Sequence, residues 1–322
     1  MRWLIGFVVL SAVLFLGWML PLVLIDSLPL DARERAGLPG RFAQLSQGQT
    51  YYRIRGNSEG VPLVLVHGFS TPGNLVWGPL LGQLDLEQYH VLEMDLFGRG
   101  FSDRPELDYQ ARVFQLQLSD LLSETGFDAA PFVLVGYSMG GPIVTQYAAD
   151  NPDQIRRLIT IAPAGYPLPS TRTGELVRLP VVGLWLFHLL GPENLEAGIA
   201  LDVEQGTVDF GLLHQFRRQT LYSDTLDALH STLMHYPLNN QRQHFRQVGA
   251  QSYPVGVIWG LLDEFTPYHN SAKLMEDIPR AELCTIEGNH GIIMNKPVEM
   301  AQCLESLLND APPPDDAGAW VY

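Results

Sequence analysis

Short apolar runs and amphipathic stretches alternate along most of this chain. Pro62–His67 and Phe132–Val135 are almost uninterrupted apolar runs, which is typical of parallel strands buried on both faces. The stretches 111–125 and 297–309 have helical periodicity, and Pro297 suits a first helical turn. This alternation predicts an α/β protein whose mostly parallel sheet has helices on both faces.

The alternation stops near Tyr166 and resumes after Ser252. Between these residues the pattern predicts several helices and no strand, as expected of a helical cap inserted between two core strands. The Pro-rich and Asp-rich C-terminus predicts disorder. The predicted regions are a transmembrane anchor (1–25), a connector (26–48), the two parts of the core (49–165 and 253–310), the cap (166–252) and a disordered tail (311–322).

The N-terminal segment predicts a single-pass membrane anchor. No charged residue occurs from Leu4 to Ile25, and a helix of that length rises about 33 Å, enough to cross a hydrocarbon core of about 30 Å. A cleaved signal peptide is the alternative, although no small-residue cleavage site follows closely. Arg2 on one side and Arg33 and Arg35 on the other nearly balance, and we favour an extracytoplasmic catalytic domain.

Charge and cysteine content exclude some functions. The formal net charge of −15 repels phosphate backbones, so no nucleic-acid partner is expected. Cys284 and Cys303 show no metal-ligand spacing, and we expect neither a metal nor an organic cofactor. We interpret the two cysteines as buried free thiols. The alternative is a disulfide between the last strand and the last helix, in an oxidising compartment.

A serine nucleophile is indicated by the sequence Gly136-Tyr-Ser-Met-Gly140, which fits G-x-S-x-G. It directly follows the predicted strand Phe132–Val135 and precedes a helical pattern. In that context the motif forms a sharp turn that exposes the serine hydroxyl above the sheet, at the positive end of the helix. We therefore predict Ser138 as the nucleophile.

A serine hydroxyl needs a base, and His290 is the best placed of the nine histidines. Its loop follows the last predicted strand, at the sheet edge where ligands of parallel sheets bind. The triad acid should follow another strand there, between Ser138 and His290 in chain order. Asp263 fits this place and would hold the imidazole tautomer, with the neighbouring Glu264 as the alternative.

The negative oxygen of a tetrahedral intermediate needs backbone donors. We predict the N–H of Met139, directly after the nucleophile, and the N–H of Phe69, after the strand Pro62–His67. Gly68 permits close approach of the backbone. His67 is then interpreted as bracing this loop rather than as a catalyst.

Taken together, five segments resemble the α/β-hydrolase superfamily over roughly 50–165 and 253–309. They are Leu65–Phe69, Asp95–Asp103, Val135–Gly141, Trp259–Asp263 and Gly288–His290. The resemblance implies an eight-stranded, mostly parallel sheet with a helical cap over the active site. Within Asp95–Asp103, Asp103 and the following Arg104 resemble residues that pin a turn.

Within that superfamily the chain looks like membrane-anchored monoacylglycerol lipases, which share an N-terminal anchor, an H-G-F loop, an S-M-G-G elbow and a compact cap. This resemblance implies a serine carboxylic ester hydrolase acting on lipid-like esters such as monoacylglycerols. The same triad also serves carbon–carbon bond hydrolases, peptidases, haloperoxidases and acyltransferases. A non-catalytic binding protein on this fold is a further alternative. The apolar segment Leu179–Leu190 would either pack on the core or face lipid, and the sequence identifies no substrate-binding residue.

Overall fold

The computed structural model describes residues 2–24 and 27–309, without the side chains of residues 2, 4 and 18–24. Within this part of the chain, eight strands form one sheet of order β1-β2-β4-β3-β5-β6-β7-β8. The strands are β1 (Arg41–Leu45), β2 (Gly48–Gly56), β3 (Val61–Val66), β4 (Tyr89–Met94), β5 (Phe132–Tyr137), β6 (Ile155–Ile161), β7 (Val255–Gly260) and β8 (Glu282–Ile286). Strand β2 pairs antiparallel with β1 and β4, whereas the other neighbours are parallel. The predicted eight-stranded, mostly parallel sheet is confirmed.

Helices connect the strands. In the described chain they are α1 (Arg2–Leu24), α2 (Ala32–Arg35), α3 (Gly73–Leu81), α4 (Ala111–Thr125), α5 (Gly140–Asp150), α6 (Arg172–Leu176), α7 (Gly183–Glu204), α8 (Phe210–Thr220), α9 (Thr225–His235), α10 (Arg242–Gly249), α11 (Asn270–Asp277), α12 (Ile292–Asn295) and α13 (Pro297–Asn309). Helix α4 packs beside α5, and α3 packs beside α13, so the sheet lies between two helical groups. All six residues of β5 are buried between them. The central strand that leads to Ser138 is therefore held on both faces.

Strand β1 was not predicted from the sequence. Its residues fall within the predicted connector, where no strand was expected. It forms a hairpin with β2 at the edge of the sheet, and only Ala43 and Leu45 of its five residues are buried. An edge strand with so few buried positions lacks the continuous apolar run that marks a central parallel strand.

The N-terminal helix α1 exposes large apolar side chains from Trp3 to Leu16. It lies beside the cap helix α7. Among helices described with their side chains, none is long and apolar enough to cross a membrane. The predicted transmembrane anchor is therefore not confirmed. The predicted tail, 311–322, lies outside the described residues.

Five helices, α6 to α10, occupy the fully described segment between β6 and β7. Val177, Phe187, Leu226 and Leu229 form a buried apolar cluster among them, and Phe69 of the core packs against this cluster. The apolar segment Leu179–Leu190 is divided. Phe187 is buried, whereas Leu179, Val181 and Leu189 are exposed by 45%, 86% and 51%. The segment therefore combines packing with an exposed apolar surface.

A disulfide bond joins Cys284 of β8 to Cys303 of α13, with the two Cα atoms 5.9 Å apart. Our interpretation of these cysteines as free thiols is wrong, and the alternative pairing between the last strand and the last helix is what the structure contains. Both residues are buried. The two cysteines are nineteen residues apart, a spacing that does not predict pairing, because the strand and the helix come together only in the folded protein.

Candidate active site

Ser138 lies on the sharp turn between β5 and α5. Its φ of +54° is in the left-handed region, which costs a side-chain-bearing residue on the order of 1–3 kcal/mol. A Cβ on Gly136 would come within 2.4 Å of the Gly140 carbonyl oxygen, and one on Gly140 within 2.2 Å of that of Val66. The two motif glycines are thus required by close backbone packing, which holds the strained turn in place.

The three residues predicted as a triad lie together at the carboxyl edge of the sheet. The Oγ atom of Ser138 is 3.0 Å from Nε2 of His290. On the opposite side of the ring, Nδ1 of His290 is 2.7 Å from Oδ2 of Asp263. Each distance is within hydrogen-bond range, so the chain of contacts from hydroxyl to imidazole to carboxylate is continuous.

The Asp263 carboxylate is held by its own loop and its side chain is fully buried. Its Oδ1 accepts the backbone N–H groups of Phe265 and Thr266, at 2.9 and 2.8 Å. Its Oδ2 lies 2.8 Å from the Thr266 hydroxyl, which donates to it. Glu264, the alternative acid, is exposed. The geometry therefore favours Asp263 as the partner of His290.

Thr266 and Tyr137 are site residues that the sequence analysis missed. The Thr266 hydroxyl lies 3.2 Å from Nδ1 of His290, in addition to its contact with Asp263. The Tyr137 hydroxyl donates to the backbone carbonyl of His290 at 2.9 Å, and its ring stacks on the imidazole with 5.2 Å between centroids. Burial raises the pKa of Tyr137 well above its usual range, so the phenol stays a donor. No sequence pattern distinguishes these two residues from ordinary core and loop positions.

Phe69 and Met139, the predicted oxyanion-hole residues, belong to two segments that adjoin Ser138. Met139 directly follows Ser138 and is fully buried. The loop before Phe69 runs so close to Ser138 that a Cβ on Gly68 would be 3.0 Å from the serine Cβ. The carbonyl oxygen of Phe69 accepts Nε–H of Arg99 at 2.8 Å, which holds the Phe69–Ser70 peptide, next to the peptide that carries the Phe69 N–H.

His67 braces the same loop, as expected. Its Nε2 accepts the N–H of Leu96 at 2.9 Å, so the proton of the neutral ring is on Nδ1, which donates to the Gly68 carbonyl at 2.9 Å. Burial, with a further contribution from the charge of Arg99, lowers the pKa of His67 to about 3. The imidazole is thus neutral near pH 7 and both its nitrogens are engaged.

Two further polar residues hold the loop after β4. The buried Asp95 carboxylate accepts the N–H groups of Gly73 and Phe101, at 2.8 and 2.9 Å. Burial raises its pKa to about 7. Arg104 donates to the carbonyl groups of Ser102 and Gly100, as a turn-pinning residue would. Neither residue contacts the triad.

The cap leaves little of this site open to solvent. Ser138 is 5% exposed, and the side chain of His290 is 21% exposed. Among the described residues, no cluster of three histidine, cysteine, aspartate or glutamate side chains has a geometry that could hold a metal ion. The arrangement thus joins a hydroxyl, an imidazole and a buried carboxylate through hydrogen bonds, with the loop at Gly68 packed against Ser138 and little of the site exposed to solvent.

A model of the α/β-hydrolase fold matches residues 61–297. The chain therefore belongs to the α/β-hydrolase family and is an enzyme of that kind. It is similar to monoacylglycerol lipase abhd6-B of Xenopus laevis, with 24% identity over 295 residues, 86% of this chain and 84% of that protein. It is 25% identical to Lipase 1 of Psychrobacter immobilis over 269 residues, 79% of each protein. The predicted resemblance to monoacylglycerol lipases is confirmed.

Solved structures share the fold. A bromoperoxidase from Bacillus anthracis, 24% identical, has a TM-score of 0.69, and the match covers 84% of this chain and 100% of that one. An enol-lactonase from Burkholderia xenovorans LB400, 19% identical, also has a TM-score of 0.69, with the same coverage.

Proposed function

We propose that this protein is a serine carboxylic ester hydrolase that works through an acyl intermediate on Ser138. The observation that carries the proposal is the 3.0 Å contact between Oγ of Ser138 and Nε2 of His290, on a ring whose Nδ1 faces a buried carboxylate. A weakly acidic hydroxyl becomes a nucleophile when an adjacent base takes its proton as it attacks. The strained turn holds that hydroxyl toward the substrate.

In the first half-reaction, Ser138 attacks the ester carbonyl carbon while His290 accepts the hydroxyl proton. The backbone N–H groups of Phe69 and Met139 donate to the oxygen that becomes negative, and each such donor contributes about 3–4 kcal/mol. The resulting imidazolium is stabilised by Asp263 across the Nδ1 contact. His290 then gives its proton to the departing alcohol, which leaves an acyl-Ser138 ester.

In the second half-reaction, water replaces the alcohol. His290 removes a proton from this water, whose oxygen attacks the acyl carbon, and Ser138 leaves with the proton restored. Asp263 does not itself become protonated; it keeps the Nδ1–H tautomer in place throughout. Thr266 supports this role, because its hydroxyl and N–H satisfy both carboxylate oxygens.

We propose lipid-like esters, with monoacylglycerols foremost, as the substrate class. The monoacylglycerol lipase relatives support this choice. A further support is the apolar cluster of the cap, which meets Phe69 beside the nucleophile. An acyl chain that entered there would be transferred from water to an apolar lining, and each buried methylene would contribute about 0.8 kcal/mol to binding.

We also propose that α1 tethers the protein to a membrane, with the catalytic domain on the extracytoplasmic side. The exposed apolar side chains of α1 support the tether. The Cys284–Cys303 disulfide supports the location, because such bonds persist in oxidising compartments. Carbonate extraction of membranes should leave the full-length protein in the pellet, with its N-terminus at Met1 or Arg2. A mature N-terminus near Ser27 would contradict the tether.

The test of the reaction uses a fluorophosphonate probe, followed by p-nitrophenyl esters of increasing acyl length. Wild-type protein should be labelled and should hydrolyse the esters, whereas Ser138→Ala should do neither. Absence of labelling in folded wild-type protein would contradict the serine nucleophile. Labelling without turnover of any ester would contradict ester hydrolysis and favour another reaction of the same triad.

A further inference from the structure

A buried carboxylate of the cap lies against the loop of the catalytic histidine. Asp202 is on the last turn of α7 and is only 2% exposed. Its Oδ1 accepts a hydrogen bond of 3.0 Å from Nδ2 of Asn289, the residue directly before His290. Removing a carboxylate from water is costly unless the protein supplies partners. Because Asp202 is buried, its carboxylate does not contribute to surface solubility, and its burial needs another explanation.

The amide of Asn289 is engaged at both ends. While its Nδ2 reaches the cap, its Oδ1 accepts the N–H of Gly291 at 2.8 Å and the Nδ2–H of Asn295 at 2.9 Å. One side chain therefore links the residue after His290, the end of α12 and the cap helix. A shift of α7 would therefore act, through the Asn289 side chain, on the backbone on both sides of His290.

Gly291 shows how closely the cap carboxylate approaches this loop. A Cβ at this position would lie 2.7 Å from Oδ2 of Asp202. The backbone of Gly291, with φ −77° and ψ 10°, is one that other residues also adopt. The absence of a side chain here therefore serves the close approach of Asp202 rather than the conformation of the turn.

The charge of Asp202 also acts on Tyr137, whose ring stacks on the imidazole of His290. After burial, the charges of Asp263 and Asp202 contribute to the raised pKa of Tyr137. The Tyr137 hydroxyl of the core donates to the His290 carbonyl, while Asp202 of the cap accepts from the neighbouring Asn289. Core and cap therefore both contact the segment that carries the imidazole.

We propose that Asp202 and Asn289 are positioning residues that align His290 with Ser138 when α7 is seated on the core. The inference rests on the proposed function, because it takes His290 to be the base. It assigns the cap a part in the chemical step itself, in addition to covering the site. A cap that had moved away would leave the Nε2–Oγ contact without one of its supports.

The test compares Asp202→Ala with Asp202→Asn, which keeps an oxygen acceptor for Asn289. Glu204→Ala, an exposed acid on the same helix, is the control. The substrate is p-nitrophenyl acetate, whose acyl group is too short to need the apolar cluster of the cap. For Asp202→Ala we expect kcat to fall roughly 10- to 100-fold, as small misplacements of catalytic groups do. We expect KM to change less than about threefold, and Asp202→Asn and Glu204→Ala to keep kcat within about threefold of wild type.

Gly291→Ala provides a second route to the same contact. Its methyl group would displace the Asp202 carboxylate, so kcat should fall, whereas the double variant Gly291→Ala with Asp202→Ala should be no slower than Asp202→Ala alone. Such non-additivity is expected of residues in direct contact. Fully additive losses in variants that circular dichroism shows to be folded would contradict the inference.

Three results would overturn the positioning role. They are an unchanged kcat in folded Asp202→Ala, an equal loss of kcat in Asp202→Asn, or a change confined to KM. Fluorophosphonate labelling of wild type separates this inference from the proposed function. If wild type is labelled but Asp202→Ala keeps the kcat of wild type, only the positioning role fails. If folded wild type is not labelled, the proposed function fails and the inference fails with it.

Discussion

The carboxyl edge of the sheet and the cap are built in different ways. At the sheet edge, short loops hold buried polar groups through dense hydrogen bonding, as the Asp263 loop does with Phe265 and Thr266. The cap is instead joined by apolar packing around Phe187 and Leu229, and it exposes other apolar side chains. Directional bonds fix angles and distances, whereas apolar contacts tolerate sliding.

Polar contacts also bridge the two regions, and three of them involve the loops that follow β4 and β8. Arg99 donates to Thr232 of α9 at 2.9 Å, Arg104 donates to Thr225 at 3.1 Å, and Asn289 donates to Asp202 of α7. The proposed reacting groups thus depend on the hydrogen-bonded edge, while contacts of this kind help to set the position of the cap. Substitutions in the edge should therefore reduce turnover strongly. Substitutions in the bridges made by Arg99 and Arg104 should mainly affect stability, whereas the bridge between Asn289 and Asp202 reaches the His290 loop and should also affect kcat.

The largest effect is expected for Asp263→Asn. An amide at this place favours the wrong imidazole tautomer, so kcat on p-nitrophenyl butyrate should fall by about 10⁴-fold. Glu264→Gln is the matched control, because Glu264 is the adjacent acid and is exposed; its kcat should stay near wild type. Circular dichroism checks that both variants are folded. Near-normal turnover by Asp263→Asn would show that Asp263 is not the acid that orients His290.

Gly68→Ala comes next. The new methyl group would lie 3.0 Å from Cβ and 3.5 Å from Oγ of Ser138, in the space between the nucleophile and the loop of Phe69. We expect kcat/KM to fall by roughly 10²-fold, comparable to the loss of one oxyanion donor. Gly78→Ala is the control, since nothing lies within 4 Å of its Cβ position. Equal activity of the two variants would show that the Phe69 loop does not serve the reaction.

Thr266→Val tests how the edge holds its acid. The change keeps the side-chain shape but removes the hydroxyl that lies 2.8 Å from Oδ2 of Asp263. A hydrogen bond to a charged group contributes about 1.5–3 kcal/mol, so kcat should fall roughly tenfold or more. Thr125→Val, in α4, removes a hydroxyl that bonds a helix carbonyl far from the site and should leave kcat unchanged.

The smallest effect on turnover is expected in a bridge to the cap. Thr232→Val removes the acceptor of the buried Arg99 guanidinium and should lower the free energy of unfolding by about 1–3 kcal/mol. The kcat on p-nitrophenyl acetate should stay within about threefold of wild type. Thr220→Val, on an exposed part of α8, should change neither quantity measurably. A tenfold loss of kcat in Thr232→Val would contradict the division between edge and cap.

The central strands were predictable from the sequence because buried parallel strands leave uninterrupted apolar runs. The serine turn and the histidine loop were predictable because each follows such a run at one edge. Strand β1 was missed because only two of its residues are buried. Thr266, Asn289 and Asp202 were missed for a different reason: their roles arise from contacts between segments far apart in the chain, which no local pattern records.

The disulfide gives His290, the proposed base, an unusual place in the covalent structure. Cys284 precedes His290 and Cys303 follows it, so the base lies inside a closed ring of the polypeptide. Such a ring survives unfolding and removes about 3 kcal/mol of chain entropy from the unfolded state. The ends of the histidine segment thus stay neighbours in every conformation of the oxidised chain. Reduction would open the ring and remove that restriction from the segment that carries the base.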